Sequence, residues 1–253
     1  MSYEIVYNSQ DYVQLLVHIA KDLKTEYIKH YPYNLGYRHS NGYYSWDCFN
    51  LIKSIIWGWK EGGLAGSYTR PDPSTGLGDW AGAKILSCCS DISNNFGSVS
   101  PGAYILFSDN DHAGTFIGDI KIDNRLVNVV ECTAAWGGGV KFSYVDSEGK
   151  RYNYKGGTQN GRWLKHGKLP WINYAEVSVP MKTFYAYKSG VAVKDPQVLR
   201  LQILLNGLAG AGLSKDSYYG PATTRAVAKW QRDHDIKETG NCDEQTWKSI
   251  LSY

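Results

Sequence analysis

The sequence predicts an α+β domain followed by a small, separate all-α domain. The chain has 253 residues, which exceeds one ordinary domain and suits two. Apolar residues recur at helical spacing up to about residue 92, then alternate as in strands after Pro101. Helical spacing returns after residue 195. Helices followed by strands favour an α+β domain over a parallel α/β domain.

The first domain begins with helices. The longest predicted helix carries apolar positions between Tyr12 and Leu23, and the second carries a stripe from Ile52 to Trp59 that Gly62 ends. A short third helix follows a loop rich in Gly, Pro and Ser. The predicted helices are residues 11–30, 48–60 and 79–92.

Strands follow the helices. Asp123-Asn124 has the residue types of a tight turn, so it predicts a hairpin between the strands on either side. The predicted strands are residues 103–107, 113–117, 126–133 and 140–145.

The second domain follows a weakly patterned segment. Residues 176–194 are predicted to be a linker between a first domain of residues 1–175 and a second of residues 195–253. Three apolar stripes in the second domain predict a three-helix module with seven basic and seven acidic residues, hence no net charge.

Composition excludes several classes of protein. With 43% apolar and 14% aromatic residues the chain can bury a core, which excludes a disordered protein. A net charge of +3 lacks the strong basic bias of a nucleic-acid-binding protein, so we expect no nucleic-acid partner. No apolar run approaches the roughly 18 residues that cross a bilayer, so we expect no membrane insertion. The N-terminal residues lack the pattern of a secretory signal, so we expect synthesis in the cytoplasm.

Aromatic and basic residues are unevenly used. The 20 Tyr and 9 Trp outnumber the 6 Phe, which fits either a protein that handles glycans or simply a Tyr-rich surface. Residues 141–170 contain seven basic and two acidic residues. This basic stretch suits either an anionic polymer such as teichoic acid or a solvated surface.

Cys48 is the first candidate for chemistry. It follows Asp47 and begins the predicted helix 48–60, where free N–H groups and the helix dipole stabilise a thiolate. Cys48 also lies on the apolar stripe of that helix, where an inert core cysteine would lie.

His112 and Glu131 are the candidates that would complete such a site. His112 opens a predicted strand and could serve as the base that a nucleophilic thiol needs. Glu131 lies on an otherwise apolar strand and could orient the imidazole. The turn at Asp123-Asn124 predicts Glu131 opposite Phe116, two pairs away from His112, so contact would need a bulge, a kink at Gly118 or a tighter turn.

The other cysteines are interpreted as structural. Five scattered cysteines, an odd number, do not form a disulfide scaffold. The chain has neither Cys-x-x-Cys nor His-Glu-x-x-His, so spacing supports no zinc site, and we expect no metal and no cofactor.

Three segments of the first domain resemble the NlpC-type cysteine peptidases, papain-like bacterial and phage enzymes that cut peptidoglycan. Residues 44–53 (YSWDCFNLIK) resemble the nucleophile box, and residues 101–107 (PGAYILF) with 111–118 (DHAGTFIG) resemble the histidine box. Residues 130–136 (VECTAAW) resemble the strand of the third catalytic residue. The resemblance implies Cys48 as nucleophile, His112 as base and Glu131 as third member.

The resemblance also has departures and a less defined element. Phe49 and Asn50 replace a small residue and a glycine after the nucleophile. The family has a tyrosine before the cysteine on the oxyanion side. Tyr27, Tyr31, Tyr33 and Tyr37 are available here, and Thr25-Glu26-Tyr27 fits the phage branch. Tyr27 and Asp47 are therefore the additional candidates for contacting the oxyanion or the substrate.

The C-terminal segment resembles a three-helix peptidoglycan-binding domain. The residues that carry the resemblance include 199–205, 219–223 (YGPAT), Trp230-Gln231, Thr239-Gly240 and Thr246-Trp247. A hydrolase joined to a wall-binding module is the plan of a phage endolysin. The resemblance therefore implies a protein released through a holin pore to act on a Gram-positive wall, and we expect a monomer.

Three functions remain open at this point. The first is cleavage between D-glutamate and the diamino acid of the stem peptide. The second is cleavage between muramic acid and L-alanine by the same site, as in an amidase. The third is wall binding without catalysis.

Overall fold

The structure is a computed structural model with two compact units. Residues 1–59 and 63–175 form the first unit, and residues 176–253 belong to the second. The side chains of residues 158–160 are not described. The structure describes residues 3–29, 36–61, 72–107, 111–154, 158–175 and 181–251.

The helices of the first unit are shorter than the sequence predicts. Helix α2 ends at Ile56 because Gly58, with φ of +86°, turns the chain, and the N–H groups of Gly58 and Trp59 bond back to the carbonyl groups of Ile55 and Ser54. The predicted helix 79–92 is wrong over most of its length, since α3 has five residues and a strand begins at Ser90. The helices are α1 (Ser9–Asp22), α2 (Cys48–Ile56) and α3 (Gly82–Leu86).

The strands of the first unit include those that the sequence predicts and several that it does not. All four predicted strands are present, and β7 extends to Ile122. The strands are β1 (Tyr7–Asn8), β2 (Thr25–Tyr27), β3 (Tyr37–Arg38), β4 (Tyr44–Trp46), β5 (Ser90–Ser93), β6 (Tyr104–Phe107), β7 (Ala113–Ile122), β8 (Arg125–Thr133), β9 (Gly139–Val145), β10 (Lys150–Asn153), β11 (Thr158–Lys168) and β12 (Ile172–Asn173).

The main sheet closes into a six-stranded barrel. Its order is β10-β9-β8-β7-β6-β11, and β10 also pairs with β11, which closes the barrel. Strand β5 pairs with the C-terminal part of β11, at His166 and Lys168. Strands β10 and β11 come from the basic stretch 141–170, whose charge and glycine content hide strand periodicity. A second sheet has the order β2-β4-β3, and β1 pairs in parallel with β12.

One apolar cluster fills the barrel. Apart from Phe96, its members come from the strand pair β6–β11 and the strand pair β8–β9. Strands β7 and β10 separate these two pairs in the sheet, so their side chains can meet only inside the barrel. The cluster comprises Phe96, Ile105, Phe107, Val129, Val145 and Trp163. Side chains two residues apart on a strand share a face. Glu131 and Ser143 therefore lie on the same inner face as Val129 and Val145.

Helices α1 and α2 cover the outside of the barrel. Helix α2 packs against β7 and β8 through its apolar stripe, in which Leu51, Ile52 and Ile55 are buried. The N-terminus of α2 is therefore brought to the end of the barrel where β7 begins. Helix α1 packs against β8 and β9.

The second unit contains the three predicted helices and a short strand pair. Leu201, Leu205, Val227, Trp230 and Trp247 form its buried core. The unit is not entirely α, because two strands of two residues each pair antiparallel. The elements are β13 (Val193–Lys194), α4 (Pro196–Ala209), β14 (Tyr218–Tyr219), α5 (Pro221–Asp233) and α6 (Glu244–Leu251).

The segment predicted as a linker is anchored to the second unit where it is described. The backbone of Phe184 exchanges hydrogen bonds with that of Cys242, and the indole N–H of Trp247 donates to the Lys182 carbonyl. The Tyr187 N–H donates to Thr224 Oγ1. Residues 181–194 thus belong to the module, a property their weak apolar patterning does not reveal.

Candidate active site

Cys48 begins helix α2, and Asp47 is the cap that starts it. Asp47 Oδ1 accepts hydrogen bonds from the backbone N–H groups of Phe49 at 3.0 Å and Asn50 at 2.7 Å. Asp47 Oδ2 accepts another from the Asn50 side chain at 2.9 Å. An aspartate in this position stabilises a helix N-terminus. The carboxylate of Asp47 therefore fixes the backbone that carries Cys48.

The sulfur of Cys48 lies against the backbone that carries His112. Its thiol donates to the Asp111 carbonyl across 3.6 Å. Burial raises the pKa of Cys48 to about 12, while the Ala113 N–H acts in the opposite direction. The sequence predicts that the helix terminus favours a thiolate. In the folded protein desolvation outweighs that effect and favours the neutral thiol.

The imidazole of His112 is fixed by a carboxylate and two aromatic rings. His112 Nε2 lies 2.5 Å from Glu131 Oε2. The ring stacks on Trp163 with centroids 5.5 Å apart and meets Phe107 edge-on at 5.7 Å. With Nε2 bonded to Glu131, Nδ1 is the nitrogen left for proton exchange with a thiol.

A register shift in β7 brings Glu131 to His112. Near the turn the hairpin follows the predicted register, with Ile122 opposite Arg125. Between Phe116 and Ile120 the register shifts by two residues. Glu131 therefore pairs with Gly114, and the predicted pairing with Phe116 is wrong. Gly118 lies inside the bulge with φ of +80°, a conformation that glycine adopts without strain.

Glu131 is the centre of a buried polar cluster. Ser143 Oγ donates to Glu131 Oε1 at 2.5 Å, and Arg151 Nε donates to the same oxygen at 2.9 Å. Arg151 Nη2 donates to Glu131 Oε2, which makes the ion pair bidentate. Burial opposes ionisation of Glu131, but the hydrogen bonds and charges of His112 and Arg151 outweigh it and keep its pKa below the ordinary value of 4.5. Glu131 is therefore a buried carboxylate.

Arg151 and Ser143 are members of the site that sequence reasoning missed. Arg151 was counted in the basic stretch as part of a solvated face, yet it is buried, with its guanidinium 4.5 Å from the ring centroid of Trp136. The only signal in the sequence that could indicate its burial is its position between the alternating apolar residues of β9 and Trp163 of β11. Ser143 gives a clearer signal, because it lies two residues from Val145 on the inner face.

Tyr27 is the tyrosine that the structure places near Cys48. Strand β2 pairs in parallel with β4, with Tyr27 opposite Trp46, two residues before the cysteine. Burial raises the pKa of Tyr27 to about 12, and the negative charges of Cys48, once it is ionised, and of Asp47 contribute to this rise. Its phenol therefore stays protonated near the sulfur. Tyr31 and Tyr33 lie outside the described residues.

The remaining cysteines, all in the part of the chain that the structure describes, are not hydrogen-bond partners of His112 or Glu131. Cys132 is buried on the outer face of β8, where its thiol donates to the Trp46 carbonyl at 3.2 Å. All five cysteines are free thiols. Within the described ranges, no three His, Cys, Asp or Glu side chains are grouped as a metal site requires. No helix in the same ranges is long and apolar enough to cross a membrane.

Comparison with known proteins identifies the second unit. Residues 194–250 match the family model described as "Putative peptidoglycan binding domain". The comparison with curated proteins gives no match. The matched range covers α4, β14 and α5 in full, Lys194 of β13, and α6 except its last residue, Leu251. The match supports peptidoglycan as a binding partner and a role at the cell wall.

Proposed function

We propose that this protein is a peptidoglycan hydrolase that uses Cys48 as nucleophile and His112 as base to cleave an amide bond of the stem peptide. The observation that carries the proposal is the pairing of His112 with the buried Glu131, next to the helix-terminal Cys48. The wall-binding match of residues 194–250 supports the choice of substrate. Cys48 alone would not support the proposal, because a lone buried cysteine is more often a core residue. The wall-binding match alone would support binding without catalysis.

The first half of the reaction transfers the acyl group to sulfur. As the sulfur attacks the carbonyl carbon, the thiol proton passes to His112 Nδ1 and the carbonyl electrons move to oxygen. Glu131 stabilises the imidazolium that forms, as the acid of a triad does. The Cys48 backbone N–H and the Tyr27 hydroxyl donate hydrogen bonds to the oxyanion.

The second half of the reaction releases both products. The C–N bond breaks as His112 gives its proton to the leaving amine, which leaves a thioester on Cys48. His112 then accepts a proton from water, whose oxygen attacks the thioester. Collapse of that intermediate releases the carboxylic acid, and the proton returns to sulfur. The residues named here carry out these steps without a cofactor.

The finer assignment is an NlpC-type, papain-like endolysin. Two observations support this assignment. Cys48 begins helix α2, which packs on β7, the strand next to His112, and on β8, the strand that contains Glu131. The three sequence boxes also resemble those of the family. We propose that the D-glutamyl–diamino acid bond of a Gram-positive wall is cut. The protein would act after release from the cytoplasm in which it is made.

An amidase that cuts between muramic acid and L-alanine uses the same chemistry, so the products must identify the bond. Purified walls would be digested with wild type, Cys48→Ala and the control Cys88→Ala, whose cysteine is partly exposed and bonds to the Lys84 carbonyl. Mass spectrometry of the released fragments should show new D-glutamate carboxyl ends with wild type and Cys88→Ala. Cys48→Ala should release none yet still sediment with walls. Release by Cys48→Ala would contradict the cysteine mechanism, and no release by wild type would favour a wall-binding protein without catalysis.

A further inference from the structure

A cavity of about 890 Å³ lies in the first unit, apart from the catalytic cysteine. It is formed by the end of α1, the start of β2, strand β9 and the β7–β8 turn. Its volume is within the range of small-molecule sites. Cys48 and His112 are not among its lining residues. The mechanism proposed above therefore does not use it.

The lining of the cavity carries more positive than negative charge. Lys21, Lys24 and Lys141 line it together with Asp22 and Asp123. Asp22 bonds to His18 at 3.1 Å and Asp123 accepts the Tyr154 hydroxyl at 2.6 Å. Counted as ions, three lysines and two aspartates give the lining a formal net charge of +1. Within the described part of the chain, Lys24 and Lys141 form no ion pair. Two ammonium groups are thus available to an anion.

Aromatic rings line the same cavity. Tyr43, Trp136 and Tyr154 contribute to its walls, and Tyr43 is 39% exposed. Trp136 has φ of +57°, in the left-handed region that a bulky residue rarely adopts. Such strain tends to persist at binding sites, where the surrounding structure enforces it.

The aromatic surface continues beyond the cavity. Asn153 and Tyr154 also line a shallower depression of about 520 Å³ that contains Tyr144 and Tyr152. The rings of Tyr144 and Tyr152 are 6.0 Å apart. Tyrosines that present ring faces beside polar groups suit sugar rings, which are apolar on their faces and polar at their edges. The two depressions share Asn153 and Tyr154, and we call them together the groove.

We propose that this groove binds an acidic saccharide of the cell wall, with sugar rings on Tyr43, Trp136 and Tyr154 and anionic groups on Lys24 and Lys141. The choice of ligand rests on the wall association of the second unit and does not depend on the Cys48 chemistry. The anionic groups are either carboxylates of a stem peptide or phosphates of a wall polymer. Trp136 also connects the groove to the catalytic cluster, since its ring faces Arg151.

The test is calorimetric titration of the full chain carrying Cys48→Ala, so that no ligand is consumed. One probe is a disaccharide-tetrapeptide, which carries carboxylates, and the other is a short glycosylated poly(glycerol phosphate), which carries sugar rings and phosphates. The double variant Lys24→Gln/Lys141→Gln should bind at least one probe tenfold or more weakly. Tyr43→Ala should weaken binding of the disaccharide-tetrapeptide about fivefold if that probe is the ligand. The matched control is Lys165→Gln/Lys188→Gln, which removes two exposed lysines from outside the groove and should change affinity less than twofold.

The outcomes separate the two ligand sources. If Lys24→Gln/Lys141→Gln lowers the affinity for the phosphate probe only, the ligand is a phosphate polymer. If it lowers the affinity for the disaccharide-tetrapeptide only, the ligand is peptidoglycan. Affinity should also fall as salt is raised, because the lysines are exposed to screening. The proposal is overturned if neither probe binds, or if the groove variant binds both as well as the control does. Because no turnover is measured, an inactive wild type would contradict the hydrolase proposal without affecting this result.

Discussion

His112 Nε2 and Glu131 Oε2 are 2.5 Å apart because β7 contains two more residues than β8 between the paired positions Phe116–Val129 and Ile120–Val127. Without this bulge the regular hairpin would place Phe116 opposite Glu131. Bulges are frequent beside active sites, where they re-aim a side chain. The candidate triad therefore depends on backbone geometry remote from the reacting atoms.

The bulge predicts an effect of Gly118→Ala. A Cβ at Gly118 would lie 3.3 Å from Pro101 Cγ, and alanine at φ of +80° is strained by about 1 kcal/mol. We expect the melting temperature to fall by about 2–4 °C and wall hydrolysis to fall further than this loss explains. Gly42→Ala is the control, because its φ is +85° and no atom lies within 4 Å of its Cβ. Equal activities of the two variants would contradict a role of the bulge in catalysis.

The buried carboxylate predicts a pH-dependent stability. In Glu131→Gln the Arg151 guanidinium loses its buried counter-charge, and breaking such a pair costs about 3–5 kcal/mol. A carboxyl whose pKa is lowered in the fold contributes its stability above its ordinary pKa of 4.5, and loses it as pH falls through the folded value. Urea unfolding should therefore show a difference in the free energy of unfolding between wild type and Glu131→Gln. This difference should be largest at pH 7 and should decrease below pH 4.5. Glu148→Gln, at an exposed position, should not change the free energy of unfolding in this way. A difference between wild type and Glu131→Gln that stays constant with pH would disprove the assignment of Glu131 as a buried carboxylate.

Arg151 should act as a positioning residue for Glu131. Arg151→Met removes the ion pair and should lower kcat strongly, with destabilisation of about 3–5 kcal/mol. Arg151→Lys retains the charge but loses the bidentate geometry, so kcat should be partly restored with little change in KM. Arg162→Met, at an exposed arginine, serves as control. If Arg151→Lys folds with wild-type kcat, the bidentate contact has no part in catalysis.

The thiol of Cys48 should react slowly at neutral pH. Only the thiolate is alkylated, and burial raises the pKa of Cys48 to about 12. The rate with iodoacetamide should therefore rise about tenfold per pH unit between pH 7 and 10. Peptide mapping would follow Cys48 separately from the partly exposed Cys88. A rate that levels off below pH 8 would indicate a preformed thiolate–imidazolium pair instead.

Much of the local structure was predictable from local patterns. The apolar stripe of α2, the turn at Asp123-Asn124 and the position of Cys48 at a helix start are each encoded within a few residues. The sequence does not predict strands β10 and β11, because the many charged residues of the basic stretch hide the alternation of apolar and polar residues. Helix 79–92 was overestimated because its apolar residues are compatible with a short helix followed by a strand.

The sequence by itself determined the two-unit organisation and the strand that carries Glu131. It could not determine that Glu131 meets His112, because the pairing register depends on a bulge that alternation does not reveal. It could not show that Arg151 is buried, because a lysine- and arginine-rich segment normally remains solvated. Only closure of the barrel by β10 brings that guanidinium to the carboxylate, and the ion pair then offsets the cost of burying both charges.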